Sequence, residues 1–463
     1  MRTDTLLVEI GTEELPPKSL NRMRLALAKS FAEGLGAAGL DFGEVSVFAT
    51  PRRLAILATS LADQQPAQQI EKRGPALSAA YDDDGQPTKA LTGFATSCGI
   101  DDPATLDTVK TDKGEWVVFR ATQSGKQTEA LLPDLLNEAL AALPIDRRMR
   151  WGKRRDEFVR PVKWLCALHG KKVLALSLFG LTASNKSRGH RFMSGKDFTI
   201  RRADEYVEAC RKQHVLVDFE ERRAQIADGL QSKAAALGAK VVVDQALLDE
   251  VTALVEWPVV LDGAFDESFL AVPQEALISA MKAHQRYFHL VNADGGLLPR
   301  FIAVANIDSA KPEVVVAGNE RVIRPRLADA AFFFQQDQKM RLADQAARLD
   351  EVVFQTELGS YGDKVRRIVH LAGFIASEMK ALALSKPQQP NELTKAQDTS
   401  SANELIEAQR TSLPANEPTK VQQASREAKP LTEADKQTVR RAAELSKADL
   451  VTDMVGEFPE LQG

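Results

Sequence analysis

Leu6-Leu7-Val8-Glu9-Ile10-Gly11-Thr12-Glu13-Glu14-Leu15-Pro16-Pro17 opens on an apolar run, passes two acids and closes on two prolines. Leu6 to Ile10 reads as a strand, and the acids and prolines as a turn. A helix follows, because Leu20, Met23, Leu27 and Phe31 recur on one face at helical steps. Gly34, Gly36 and Gly39 end that helix. Val45 and Val47 then alternate with polar neighbours up to Thr50-Pro51-Arg52-Arg53, a loop whose two arginines are expected to point outward. Leu54 to Thr59 reads as the next strand. Strand, turn, helix, strand and strand give mixed α and β structure.

Outward from this start the same mixture continues. Short runs such as Trp116 to Phe119, spaced by Gly, Pro and Asp between Gly74 and Gly125, predict strands and turns. Leu131 to Leu143 predicts a helix, Val162 to Leu168 and Val173 to Leu178 predict strands, and Ala203 to Leu237 reads as mostly helical. After Trp257-Pro258, Val259 to Leu261 predicts a strand, Gln274 begins a helix, and Phe301 to Ala305 reads as a buried strand. Helix dominates from Arg321, with Val365, Ile368, Val369, Ala372 and Ile375 on one amphipathic face.

Residues 385 to 430 hold no aromatic and no glycine, five prolines and six glutamines, so little apolar area offsets chain entropy and a flexible polar insertion is expected. Thr432 then reads as an N-cap, and Val439, Ala442, Ala443, Leu450, Met454 and Val455 as a second helical stripe. The fold class is α+β and multidomain. Its expected parts are an α/β amino-terminal region at 1–200, an α+β middle domain at 201–320 and a helical domain at 321–463.

With 463 residues, 44% hydrophobic and 27% charged, the chain can bury several cores. Three separated cysteines, Cys98, Cys166 and Cys210, offer neither a disulfide framework nor a cysteine zinc site. Arg2, Asp4 and Glu9 break up the first ten residues, unlike a secretory signal, and no apolar run approaches about 18 residues. A soluble cytoplasmic protein is expected. A net charge of -4 means that any nucleic-acid partner must meet a local basic face.

The densest such face is Arg147-Arg148-Met149-Arg150-Trp151-Gly152-Lys153-Arg154-Arg155, reinforced by Arg160 and Lys163. Cations interleaved with Trp151 and Phe158 suit RNA, where guanidiniums neutralise phosphates and aromatic faces stack on unpaired bases. The alternative is a solvated charged face that pairs with Asp156 and Glu157. Ser187-Arg188-Gly189-His190-Arg191-Phe192 allows a phosphate grip, with Gly189 admitting a close backbone approach, or a structural turn, and no nearby carboxylate orients His190 as a general base. Arg321, Arg324 and Arg326 precede Phe332, Phe333 and Phe334, whose rings read as core. His284 and His289 lack the spacing of a zinc protease helix, and the phosphate loop, dinucleotide and nucleophile-elbow patterns are absent. His370, Asp449 and Asp453 could ligate a divalent metal, but helix-surface or capping roles fit the aspartates better, and the chain contains no adjacent His-Asp pair.

Taken in order, Leu6 to Pro16, Thr50 to Leu54, Met149 to Gly152, Phe158 to Val162, Gly189 to Phe192, Glu256 to Pro258, Asn319 to Val322, Asp329 to Phe334, Lys447 to Leu450 and Gly456 to Gly463 resemble the beta subunit of bacterial two-subunit glycyl-tRNA synthetase. The resemblance implies an α2β2 enzyme for the ATP-dependent attachment of glycine to tRNA(Gly). Its alpha subunit would carry the class II site and use ATP and Mg, while beta supplies tRNA-binding domains and an HD-like helical domain. It therefore implies that region 1–200 binds tRNA, that 321–463 is the HD-like domain, and that this chain is inactive alone and binds no cofactor. The family continues into a further helical domain, so the chain corresponds to its amino-terminal two thirds. It suggests no catalytic residue. The expected RNA-binding set is Arg147, Arg148, Arg150, Lys153, Arg154, Arg155 and Arg160. A stand-alone HD-type metal phosphohydrolase and a non-catalytic scaffold remain as rival readings.

Overall fold

The computed structural model describes residues 2–82, 85–111, 114–153, 155–378, 380–381 and 429–463. These form two compact units, one of residues 1–274 with 280–326 and one of residues 275–279 with 327–463. The expected insertion at 385–430 lies outside the described residues, apart from the short pairing of Lys380–Ala381 with Lys429–Pro430.

The first unit is built on the opening strand β1 (Thr3–Thr12), followed by helix α1 (Pro17–Ala37) and the hairpin of β2 (Val45–Thr50) and β3 (Arg53–Ala62). Pro17 starts α1 because its missing N–H would have had no partner in the first turn. A three-stranded sheet follows, of β4 (Gln68–Ala76), β5 (Asp107–Thr111) and β6 (Gly114–Gln123) in the order β4-β6-β5, with helix α2 (Lys89–Ser97) beside it. Helix α3 (Thr128–Ala141) leads to β7 (Val162–His169) and β8 (Lys172–Val173). These complete an antiparallel five-stranded sheet of order β8-β7-β1-β3-β2.

The strand expected over Val173 to Leu178 is interrupted. Lys172–Val173 pairs back on β7, whereas Ser177–Leu178 pairs with Leu181–Thr182 around Phe179 and Gly180, both at positive φ. The local turn overrides the apolar alternation.

Because side chains alternate across a strand, the two faces of the five-stranded sheet have different jobs. One face, with Leu6, Val8, Ile10, Leu54, Ile56 and Leu165, packs on Leu20, Met23, Leu27, Phe31 and Leu35 of α1 and on Leu132, Leu136 and Leu140 of α3. Burying each large side chain contributes roughly 1.5–3 kcal/mol. The opposite face carries Leu7, Ala55, Cys166 and Leu168 against Tyr206 and Cys210 of α4 (Tyr206–Arg211). Towards one end this second face turns polar.

Helix α5 (Phe219–Ala236) and helix α6 (Gln245–Leu254) pack on a four-stranded antiparallel sheet of β11 (Lys240–Val241), β12 (Val259–Ala264), β13 (Phe288–Val291) and β14 (Leu297–Ala305), in the order β11-β13-β14-β12. Between the two sheets in sequence lies the hairpin of β9 (Lys186–Arg188) and β10 (Asp197–Thr199).

The second unit is helical around a small core of Leu349, Val365 and Val451. Its helix α7 (Tyr361–Glu378) has the expected period, but Ile375 is exposed together with Leu371 and Phe374, while Gly362, Val365, Gly373 and Ala376 supply the buried positions. Thr432 caps α8 (Glu433–Leu445) in a reciprocal box with Asp435. The expected second stripe breaks after Leu445 into two short turns, and Val451 rather than Ala442 is buried. Among the described residues no helix is long and apolar enough to cross a membrane.

Candidate functional site

The polar end of the five-stranded sheet begins with register. Gly11 on β1 lies beside Arg53 on β3 and Trp164 on β7, and Glu9 lies beside Ala55 and Cys166, so Glu9, Arg53 and Trp164 share one face. Gly11 is needed there because an added Cβ would sit 1.9 Å from the Trp164 ring. Glu9 is fully buried and accepts four hydrogen bonds, from Trp164 Nε1 at 2.5 Å, Ser187 Oγ at 2.6 Å, Tyr206 OH at 2.7 Å and Arg53 Nη1 at 3.2 Å. Arg53 also donates to Glu256 Oε1 at 3.2 Å and to the Arg188 carbonyl at 2.7 Å, and Thr50 Oγ1 donates to the same Glu256 oxygen at 2.7 Å.

The expectation that both arginines of Thr50 to Arg53 point outward is therefore corrected for Arg53, which has no exposed side-chain surface. Two buried carboxylates demand a cation, and burying ions is tolerable only when they are paired and hydrogen-bonded. Burial pushes the Tyr206 phenol and the Cys166 and Cys210 thiols upward, keeping all three neutral. The sequence pattern gives Glu9, Glu256, Tyr206 and Trp164 no role and shows Ser187 only as the start of a possible phosphate grip. The available signal was an acid set inside apolar runs, Leu7-Val8-Glu9-Ile10 and Leu254-Val255-Glu256-Trp257.

His190 resolves to a structural turn. Its Nδ1 accepts the Phe192 and Met193 amides at 3.3 and 3.2 Å, which leaves the proton on Nε2 to donate to Asn306 Oδ1 at 3.2 Å. Asn306 Oδ1 in turn receives the Glu256 and Trp257 amides. The imidazole thus braces the loop that carries Arg188 and Arg191.

The dense basic stretch follows α3 as a ribbon in which Met149–Arg150 pairs with Glu157–Phe158. Arg148 donates to the Leu140 and Ala141 carbonyls at the end of α3, and Arg150 reaches Glu157 at 2.5 Å. Arg160 bonds the Glu14 and Val159 carbonyls, and Lys163 pairs with Glu13 at 3.1 Å. Arg147, Lys153 and Arg155 are exposed and have no hydrogen bond or ion pair among the described residues. Arg154 lies outside the described residues. Trp151 packs its ring 6.1 Å from Phe179, so it faces the core side and not a free surface. Among the described residues Arg148, Arg150, Arg160 and Lys163 are tied to protein acceptors, whereas Arg147, Lys153 and Arg155 are not.

In the second unit Asp337 receives the Asp453 and Met454 amides, and the Asp449 carboxylate receives the Gly463 amide, so Asp449 serves a local backbone contact and Asp453 takes part through its own amide. Among the described residues no group of three or more His, Cys, Asp or Glu is placed to hold a metal ion.

This α/β unit thus presents exposed guanidiniums on a ribbon and around a braced loop. Comparison with known proteins then gives the family. The family described as glycyl-tRNA synthetase beta subunit matches residues 6–409 and 416–463, and the chain belongs to it. It is 46% identical over 465 residues to the glycine–tRNA ligase beta subunit of Marinobacter nauticus, covering all of this chain and 59% of that protein. Identity to the protein of the same name from Hahella chejuensis is 44% over 464 residues, again with 59% of that protein covered. For Cronobacter sakazakii it is 48% over 385 residues, or 82% of this chain and 55% of that protein. The chain thus spans a little under three fifths of the length of these relatives.

Proposed function

We propose that this chain is the tRNA-holding portion of a glycine–tRNA ligase beta subunit, acting with an alpha subunit that attaches glycine to tRNA(Gly). The carrying observation is the family match along nearly the whole chain. The absence of a phosphate-cradling loop from the sequence agrees with glycine activation, and its ATP and Mg, residing on the alpha subunit. An α2β2 tetramer in the cytoplasm is the assembly this reading entails, and the second unit is its HD-like helical region. The rival phosphohydrolase and scaffold readings gain nothing from relatives that are all named as ligase subunits.

The RNA contacts of this reading are Arg147, Lys153 and Arg155, which have no partner among the described residues, with Arg154 beside them in sequence. Arg148, Arg150 and Arg160 contribute charge while spending donors on the protein itself. The test is a titration of the chain with tRNA(Gly) at several salt concentrations, with and without the alpha subunit. We expect salt-sensitive binding by the chain, and glycine-dependent pyrophosphate exchange only once the alpha subunit is added. Exchange by the chain alone, or failure to bind tRNA under either condition, would overturn the proposal.

A further inference from the structure

Beside the buried network, a cleft of about 180 Å³ opens between Arg52, Arg188, Arg191 and Lys196, with Asp197 as its acid. Arg188 spends its Nε on Asp197 at 3.2 Å, and Arg191 reaches Glu14 at 3.2 Å and Glu13 at 3.7 Å. Arg52 is different. Its Nε and Nη1 are removed from solvent and have no acceptor. The guanidinium lies 5.7 Å from the Trp164 ring, and its remaining Nη2 is the arm that an acceptor in the cleft can meet. Burial, opposed by Glu256 and reinforced by the charges of Arg191, Arg53 and Arg188, holds the Arg52 guanidinium below its ordinary pKa. The cleft is thus short of negative charge.

Its walls are set by folding rather than by chance. The loop from Arg188 to Asp197 is closed by His190, and Gly195 takes a left-handed turn at φ 59° that places Lys196 back against Gly189. Guanidiniums converging from two separate loops call for a ligand with acceptors in several directions. A tetrahedral phosphate offers that, and a planar carboxylate does not. At the tip of the same loop Phe192 is 74% exposed, an unusual position for a bare ring.

We propose that this cleft is a phosphate site, that the phosphate belongs to an RNA backbone, and that Phe192 stacks on an unpaired base next to it. The assignment of the source rests on the tRNA reading above; the phosphate chemistry stands on the cleft. Exposed aromatics beside phosphate cations are how proteins hold single-stranded RNA.

The experiment compares the wild-type chain with Arg52→Gln, Arg191→Gln and Phe192→Ala. Inorganic phosphate binding is measured by calorimetry, tRNA binding at several salt concentrations, and folding by circular dichroism. Both arginine variants are expected to lose phosphate binding and to flatten the slope of log K against log salt by roughly 0.7–0.9. Phe192→Ala is expected to weaken tRNA binding roughly 5- to 100-fold while leaving phosphate binding and the salt slope unchanged. Should Arg52→Gln fail to fold, Arg191→Gln, whose side chain is exposed, carries the test alone. Unchanged phosphate binding and unchanged slope overturn the site. Lost phosphate binding with an unchanged tRNA slope makes a small phosphate compound the ligand and overturns the RNA assignment. If wild type binds phosphate through Arg191 but no tRNA, the phosphate site stands, and the RNA assignment fails together with the function proposed above.

Discussion

The Arg53 and Arg150 guanidiniums each meet a glutamate, but Arg53 and Glu9 have no exposed side-chain surface, whereas Arg150 and Glu157 keep 67% and 39% of theirs. Arg53 holds two carboxylates, a carbonyl and a hydroxyl in one desolvated network. The ribbon from Arg147 to Arg160 instead leaves part of its donors in water. The lesson is that arginine does two jobs in one unit. Buried, it fixes strand register and loop position; exposed and unpaired, it is available to an anion. Water, more than sequence spacing, separates the two.

The sharpest way to break this comparison is Glu9→Ala. Arg53 keeps Glu256, but the buried Trp164, Ser187 and Tyr206 donors lose their common acceptor, each such loss costing about 1–3 kcal/mol, so we expect a loss of about 3–5 kcal/mol in urea unfolding. A loss below about 1 kcal/mol would show that Arg53 finds water and is not buried in the sense argued. Gly11→Ala comes next, because a methyl would enter the Trp164 ring space. About 1–3 kcal/mol should be lost, with a changed near-ultraviolet signal from the displaced indole; an unaltered melting temperature and spectrum would contradict the packing. On the exposed side, a double-mutant cycle of Arg150→Ala and Glu157→Ala should give a coupling of only about 0.2–1 kcal/mol. A coupling as large as the effect of Glu9→Ala would erase the distinction.

The smallest effect is an acid one. The Glu13 carboxyl is held below its ordinary 4.5 chiefly by the Lys163 hydrogen bond, against opposing burial and with help from the charges of Lys163, Arg191 and Arg52. Glu129 is lowered chiefly by Lys172 and next by the Ala175 amide, again against burial. A carboxylate with a depressed folded pKa stabilises fully above its unfolded pKa, and that contribution disappears as pH falls through the folded value. The urea midpoint should therefore decline as pH drops below about 4.5, and Glu129→Gln should make the decline shallower. An identical acid limb in the variant would contradict this.

Much of the scaffold was readable from residue pattern. The stretch from Leu6 to Phe31 carries a short apolar run, a turn of acids and prolines and then period 3.6, and Thr432 announces its helix by chemistry that acts locally. The buried network was not readable in that way. Arg53 follows a proline and another arginine, which looks like a solvent loop, and only pairing with β1 puts its side chain on the Glu9 face. Glu9, Ser187, Tyr206 and Glu256 are separated by up to 247 residues in sequence, so no local window joins them. The basic ribbon was visible as composition, but which cations were already engaged depended on the carbonyls of Leu140, Ala141, Glu14 and Val159.

For the ribbon from Arg147 to Arg160 the central claim is that polyanion binding resides on exposed cations with free donors, and the most direct test is the salt dependence of tRNA affinity. Wild type would be compared with Arg147→Ala/Lys153→Ala/Arg155→Ala and with Arg148→Ala/Arg150→Ala, all checked for folding by circular dichroism. The account predicts that the triple variant flattens the slope of log K against log salt by roughly 0.7–0.9 for each phosphate that is no longer neutralised. It should weaken cognate and non-cognate tRNA about equally, since phosphate contacts position without reading sequence. The double variant should change the slope less. Equal slopes for the triple variant and wild type would contradict the account and return the ribbon to a solvated charged face.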